Sequence, residues 1–162
     1  MAKSKPQNSD SPAIKIITVN RKARHDYHIL ETFEAGIVLT GGEIKSVRQG
    51  EINLAQSYVA SYGGELFLVG AHINPYKFTS DPDYDPIRKR KLLLKKTELH
   101  KLISRVETKG LTIVPLQMHL KRGYAKLQIA LAKGKDAPDK RQAIKGREAG
   151  REMARAIKGG KY

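Results

Sequence analysis

Three cations, an amide and an imidazole fall within six residues at Asn20-Arg21-Lys22-Ala23-Arg24-His25. That set supplies phosphate anchors together with groups that hydrogen-bond to or stack on unpaired bases. A second concentration, Arg88-Lys89-Arg90-Lys91, adjoins Leu92-Leu93-Leu94 and then Lys95-Lys96. Charge beside exposed apolar surface suits splayed bases, although a leucine triplet more often belongs to a core. The five histidines invite a catalytic or metal reading, with His25-Asp26-Tyr27-His28 as the most suggestive group. On a strand His25 and His28 would face opposite sides, and His72, His100 and His119 are scattered, so no metal site is expected. Gly41-Gly42 and Gly63-Gly64 lack the spacing and the following Lys-Ser/Thr of a phosphate loop. A ribonuclease that uses His with Lys or Glu, or an RNA-modifying enzyme on a similar scaffold, is the enzymatic alternative.

The charge balance says what these groups meet. The chain has 162 residues, 31 of them Lys or Arg against 16 Asp or Glu, a net charge of +15 with His neutral. Such a surplus makes a polyanion the default partner, because the attraction is long-ranged and binding releases counterions from phosphate. A solubilising surface and an acidic membrane are the competing explanations. Aromatic residues make up only 6% and Trp is absent, which favours recognition of a folded RNA's shape over an aromatic platform for single strands. Cysteine is absent, which removes disulfides, thiolate nucleophiles, zinc ribbons and iron–sulfur clusters from consideration. No cofactor is expected. The longest apolar run, Leu66 to Val69, is far too short to span a bilayer, and the start leads into no signal-like stretch, so a cytoplasmic location is expected.

The elements that must position these residues read as mainly β. Residues 1–13 carry almost nothing to bury and read as a flexible arm. From 14 to 132, short β-rich runs are punctuated by glycine, with two helical interruptions. Ile14–Val19, Tyr27–Phe33 and Gly36–Leu39 read as three strands. Glu43–Gln49 is a two-turn helix preceded by Thr40 and two glycines and stopped by Gly50. Tyr58–Ser61 and Glu65–Val69 flank Gly63-Gly64 as a hairpin, and Asn74–Pro86 is a surface excursion. Thr97 is expected to cap a helix through Glu107, with Leu99, Leu102, Ile103 and Val106 on one face and Gly110 at its end. Leu116, Met118 and Leu120 alternate, Lys121-Arg122-Gly123 turns, and Ala125 to Leu131 alternate back. Between Leu111-Ile113 and this run the apolar parity changes across Pro115, which predicts a β-bulge. Six or so antiparallel strands with two or three short helices suggest a small β-barrel of the oligonucleotide-binding type, with a sandwich as runner-up and no second hydrophobic core.

Residues 133–162 hold ten Lys or Arg and four Asp or Glu, with Ile144, Met153 and Ile157 as the large apolar residues before Tyr162. Such a basic tail cannot bury enough surface to order itself when free. Winding 139–158 at helical period gathers Lys140, Arg141, Lys145, Arg147, Arg151, Arg155 and Lys158 on one side and Gly146, Gly150, Met153 and Ile157 on the other. A helix formed on a polyanion is expected. Its small-residue face argues against a membrane.

Five blocks in order, Asn20 to Tyr27, Glu34 to Ile37, Gly42 to Arg48, Arg90 to Leu94, and Ala132 to Lys135 with Asp139-Lys140-Arg141, resemble the SmpB family of bacterial SsrA-binding proteins over about residues 17–158. The resemblance implies an oligonucleotide-binding-type barrel that binds the tRNA-like domain of transfer-messenger RNA and takes it to stalled ribosomes in trans-translation, without catalysis. It also implies that the body stands in for the missing anticodon side of a tRNA, while the tail becomes helical in the empty messenger channel beside the decoding centre. Partners would be that RNA, ribosomal RNA and, through the RNA, alanyl-tRNA synthetase and elongation factor Tu, with the protein itself a monomer. By position, Asn20, His25, Glu34 and Leu93 match RNA-binding residues, to which the basic clusters add Arg21, Lys22, Arg24 and Lys91. Lys133, Lys135, Asp139, Lys140 and Arg141 match the tail motif. Glu34 is unexpected in such a set, because a carboxylate repels phosphate; it must accept from base or sugar donors or fix a neighbouring cation.

Overall fold

The computed structural model describes residues 13–79, 81–135 and 151. Along them run β1 (Ile14–Val19), α1 (Arg21–Asp26), β2 (Tyr27–Ile37), α2 (Gly41–Arg48), β3 (Ile52–Asn53), β4 (Tyr58–Tyr62), β5 (Glu65–Val69), β6 (His72–Ile73), β7 (Arg90–Leu93), α3 (Lys96–Lys109), β8 (Thr112–Lys121) and β9 (Tyr124–Gly134). The main sheet runs β8-β4-β5-β7-β2-β9 and closes because β9 pairs back onto β8, with every pairing antiparallel. The expected barrel is therefore observed, and the sandwich is not. A short β3–β6 pair lies outside the ring.

The register change predicted at Pro115 is what lets one strand serve three neighbours. Pro115 pairs with Ile129 and Gln117 with Gln128, so Leu116 is the extra, bulged residue. Before the bulge β8 meets β4 through Ile113; after it the same edge meets β1, from Gln117 opposite Val19 to Lys121 opposite Ile14. Proline has no N–H to donate, so its place beside a bulge leaves no ladder bond unmade.

Inside the ring, Leu66, Leu68, Leu92, Ile113, Met118, Leu127, Ile129 and Leu131 form one core. A second, smaller cluster lies on the outer wall: Ala23 of α1 sits on Val114, Leu116, Ala130 and Ala132, flanked by Tyr27 and Ile29. This corrects the expectation of a single core. Its outward residues on β9 are alanines, too small to announce a buried face in sequence, yet small enough to let a helix approach.

Three local readings also change. Tyr27–Phe33 and Gly36–Leu39 are not separate strands; β2 runs unbroken to Ile37, and Gly36 permits it because a Cβ there would lie 3.3 Å from the Leu93 Cβ on β7. The α3 cap is Lys95 rather than Thr97, with no side-chain bond, while Gly110 ends the helix in the left-handed conformation as expected. Arg21–Asp26, to which the sequence reading assigns no element, is a helix, so the strand on which His25 and His28 would face opposite sides is not what carries His25.

The largest correction concerns Arg88 and Arg90, which are drawn onto a buried carboxylate, while Lys89 and Lys91 keep their exposure. Thr40 and Glu43 close a reciprocal capping box at the start of α2, which buries the Glu43 carboxylate. Arg90 is fully buried beside it and donates Nε to Glu43 Oε2 at 2.5 Å. Its other nitrogens reach the Ala71 and Pro86 carbonyls, both at 2.9 Å. Arg88 donates to Glu43 Oε1 through Nε at 3.1 Å and also through Nη2. Alternation on β7 explains the outcome: Arg90 and Leu92 face inward, while Lys91 and Leu93 do not. The network also ties the 74–86 excursion to the barrel, since Ile73 N–H donates to Pro86 O at 3.0 Å and the Tyr84 hydroxyl to Ile73 O at 2.9 Å.

Removing one partner of a buried ion pair strands the other charge, which costs about 3–5 kcal/mol. Glu43→Gln should therefore lower the unfolding free energy obtained from urea titration by about that amount, whereas Lys91→Gln, on the exposed pair with Glu65, should change it by well under about 1 kcal/mol. Burial pulls the Glu43 carboxyl upward, but hydrogen bonds from Arg88, the Thr40 backbone and Arg90 outweigh it and hold the group below the usual carboxylate range. Its folded value thus lies below the unfolded one, about 4.3. The stabilisation is complete above that pH and is lost as pH falls through the folded value. Urea titrations across the acid range should show this limb in the wild type and a flattened limb in Glu43→Gln.

Candidate nucleic-acid interface

A six-residue helix has no stability of its own in water, so α1 must be held by its surroundings. Asn20 does most of the holding. Its side-chain oxygen accepts from Ala23 N–H at 3.3 Å and caps the helix. Its amide nitrogen donates to Pro115 O at 2.9 Å and to Leu54 O at 3.4 Å, and its backbone N–H donates to Leu116 O at 2.7 Å. Asn20 is itself buried, so of the residues expected to meet RNA it is a positioning residue in this geometry. With Ala23 seated on the alanines of β9, Arg21, Lys22 and Arg24 are left exposed to solvent. His25 Nδ1 lies 2.8 Å from Asp26 Oδ1 at the end of the helix, each about a quarter exposed.

The root of the C-terminal segment runs beside this helix. Lys133 pairs with His28 and Gly134 with Tyr27 in the β2–β9 ladder. Lys135 N–H then donates to Asp26 O at 2.9 Å, and Lys135 Nζ lies 3.4 Å from Arg24 O. The cations Lys133 and Lys135 thus join Arg21, Lys22 and Arg24 in one neighbourhood. Arg151 is described as an exposed residue. Asp139, Lys140, Arg141, Lys145, Arg147, Arg155 and Ile157, and with them the expected tail helix, lie outside the described residues.

Glu34 belongs to a second group. On β2 it faces outward between the buried Phe33 and Ala35. Its carboxylate meets His119 Nε2 at 3.3 Å and Lys121 Nζ at 3.4 Å. Burial acts to raise the carboxyl, but the hydrogen bonds and charges of His119 and Lys121 outweigh it and hold it below the ordinary value, so it stays ionised. Of the two roles left open for Glu34, fixing a neighbouring cation is the one this geometry displays. His119 is only 4% exposed, and its Nδ1 has no partner among the described residues. The sequence reading missed His119: Gln117, His119 and Lys121 share a face of β8 by alternation, but which strand lies across from them depends on a register that no local signal fixes.

Beside Glu34, Leu93 stands 52% exposed, while Leu92 is core and Leu94 packs on the core. The leucine triplet therefore divides into two structural residues and one surface residue. Glu34, Gly36, Leu93, Lys95, Glu98 and Lys126 line an open cleft of about 480 Å³. Lys91 is apart from both groups, 3.0 Å from Glu65 on the β5 side. Among the described residues no cluster of three or more His, Asp or Glu is arranged to hold a metal ion, and no helix is long and apolar enough to cross a membrane.

Comparison with known proteins gives one consistent result. A family model described as SmpB protein matches residues 17–159. The SsrA-binding protein of Nostoc sp. is 52% identical over 149 residues, covering 91% of this chain and 96% of that protein. The SsrA-binding protein of Latilactobacillus sakei subsp. sakei is 50% identical over 158 residues, covering 98% and 99%. A solved chain from the work described as "tmRNA-SmpB: a journey to the center of the bacterial ribosome" superposes with a TM-score of 0.63 at 50% identity, covering 78% of this chain and 93% of that one. A barrel closed through a bulge at Pro115, a cationic helix pinned by Asn20, and half of all residues shared across nine-tenths of the chain lead to one assignment: this chain belongs to the SmpB family.

Proposed function

We propose that this protein binds the tRNA-like domain of transfer-messenger RNA and delivers that RNA to stalled ribosomes for trans-translation, with no catalytic step of its own. One observation carries the reading: a chain half identical to SsrA-binding proteins presents Arg21, Lys22 and Arg24 side by side on a pinned helix, with no described ion pair to neutralise them. Phosphate contacts of this kind fix orientation on a nucleic acid. Glu34 and Leu93 form the second contact, an ionised acceptor suited to amino or 2′-hydroxyl donors beside an apolar surface suited to an unpaired base. The structured body replaces the missing anticodon side of a tRNA. The basic C-terminal segment, from Lys133 and Lys135 through Asp139, Lys140 and Arg141 to the distal cations, enters the empty messenger channel and contacts ribosomal RNA. Alanyl-tRNA synthetase and elongation factor Tu are met through the RNA, the protein acts as a monomer, and its place of work is the cytoplasm. A ribonuclease reading finds less support, since His25 is engaged with Asp26 and His119 is buried against Glu34.

Incubation with transfer-messenger RNA should give tight binding with the RNA intact; cleavage would overturn the proposal. Each lost phosphate contact removes about 0.7 to 0.9 from the slope of log affinity against log salt. Replacing Arg21, Lys22 and Arg24 together by Ala should therefore flatten that slope by about 2 to 3, and an unchanged slope would move the RNA elsewhere. Deletion of residues 136–162 keeps the Lys133, Gly134 and Lys135 contacts to β2 and α1. The truncated protein should bind the RNA within about twofold of the wild type and lose peptide tagging on stalled ribosomes. Loss of RNA affinity on this truncation would refute the division of labour.

A further inference from the structure

Met118 belongs to the core inside the ring, so by strand alternation His119 points out of the barrel, yet it is only 4% exposed. Ile16 lies opposite it on β1 and Lys126 on β9. Its Nδ1 is buried without a hydrogen-bond partner among the described residues. A buried polar atom in that state weakens a fold, and an aliphatic side chain of similar size would not carry the penalty. The stability of the barrel is therefore no reason for an imidazole here. The reason has to be sought in the bond that the ring does make, from Nε2 to Glu34 Oε2 at 3.3 Å.

That bond crosses a strand. β9 lies between β8 and β2 and pairs with both, with His119 opposite Lys126 and Glu34 opposite Gln128. Glu34 is ionised and can only accept, so Nε2 is the ring nitrogen that carries the proton in this contact. The two groups that hold the carboxylate are unequal. Lys121 reaches Oε1 at 3.4 Å from a flexible stem whose side chain is 34% exposed, and solvent screens such a pair. The imidazole is short, buried and seated on a paired strand, so its N–H has a fixed direction. The Glu34 side chain stays 40% exposed on the wall of the open cleft that it shares with Gly36, Leu93 and Lys126. One bond to each oxygen leaves each with a further lone pair to offer. We propose that His119 is a positioning residue: it does not touch RNA, and it sets the Glu34 carboxylate in advance so that the remaining lone pairs are aimed into the cleft. Fixing a side chain that would otherwise rotate freely lowers the entropy lost when a ligand is bound. The inference rests on the functional reading above, which takes Glu34 as a contact, and it assigns the orientation of that contact to a residue that no resemblance or comparison singles out.

The test uses the full chain with transfer-messenger RNA in filter binding across a salt series, with thermal melts of the same samples. His119→Leu should weaken binding about five- to twentyfold, a part of what one hydrogen bond to a charged group is worth. Its salt slope should match the wild type, since no phosphate contact is removed. Its thermal midpoint should hold or rise, because the unpartnered nitrogen leaves with the ring. His119→Gln carries an amide N–H as many bonds from Cβ as Nε2 and should bring binding back to within about threefold of the wild type. In a Glu34→Gln background, itself weakened, adding His119→Leu should cost less than about twofold more, because the two residues act through one contact. Wild-type affinity in His119→Leu overturns the inference. So does a loss that follows a lowered midpoint, a glutamine variant as weak as the leucine one, or losses that multiply in the double variant. If His119→Leu and Glu34→Gln both bind like the wild type, the inference falls while the functional reading stands on α1. Failure of the wild type to bind transfer-messenger RNA overturns that reading, and the inference with it.

Discussion

The carboxamide and backbone of Asn20 meet three parts of the chain at once: the first turn of α1, the bulged segment of β8 at Pro115 and Leu116, and the carbonyl of Leu54 in the turn before β4. Each of these is a place where regular hydrogen bonding stops. A helix start leaves N–H groups without partners, a bulge leaves a strand's carbonyls out of register, and a tight turn exposes its own. One buried amide with two donor hydrogens and an acceptor satisfies a share of all three. The positions of the α1 cations and of the tail root beside them therefore follow from one side chain. A short cationic helix that repels itself can be oriented this way without an apolar face of its own.

Charge in this molecule is sorted by depth. Arg88 and Arg90 are spent on Glu43, where they bind a helix start, a long excursion and the barrel wall together. Lys91 and Lys101 sit in exposed pairs with Glu65 and Glu31. Among the cations without a described ion pair, Arg21, Lys22 and Arg24 on α1 lie beside Lys133 and Lys135 at the root of the C-terminal segment. The net surplus in the sequence thus says that a polyanion is met, while the buried pairs say which cations are not free to meet it. Glu34 shows the converse case. Its negative charge is retained at a surface of the opposite sign because His119 and Lys121 hold it in place.

How much of this was legible from residues alone depended on whether the signal was local. Paired glycines at 63 and 64, both with positive φ, marked the β4–β5 turn, and the parity change across Pro115 marked the bulge, because each feature is decided within a few residues. The α1 helix was not legible: Arg21 to Asp26 has one apolar residue, Ala23, and its helix exists only through long-range contacts of Asn20. Gly36 read as a break between strands, yet it continues β2, since its lack of a side chain serves Leu93 from a distant strand. Arg90 read as surface because its counterion lies 47 residues away in sequence. The candidate RNA residues followed from the family resemblance more than from physics, and His119 came into view only with the register of the closed ring.

Closure of that ring falls to β9, which pairs with β8 just before it and with β2 about a hundred residues earlier. A fold of such high contact order cannot finish its sheet piecemeal as the chain is synthesised. Until residues 124–134 are made, β2 and the far side of β8 stand as two open strand edges, each a template for pairing with another chain. The helix α1 also lacks its floor, because Ala130 and Ala132 are on the same strand. A nascent chain cut short before that point is therefore both sticky and without its cationic helix in place. Its synthesis is an all-or-nothing event in which the last strand confers the solubility of everything before it.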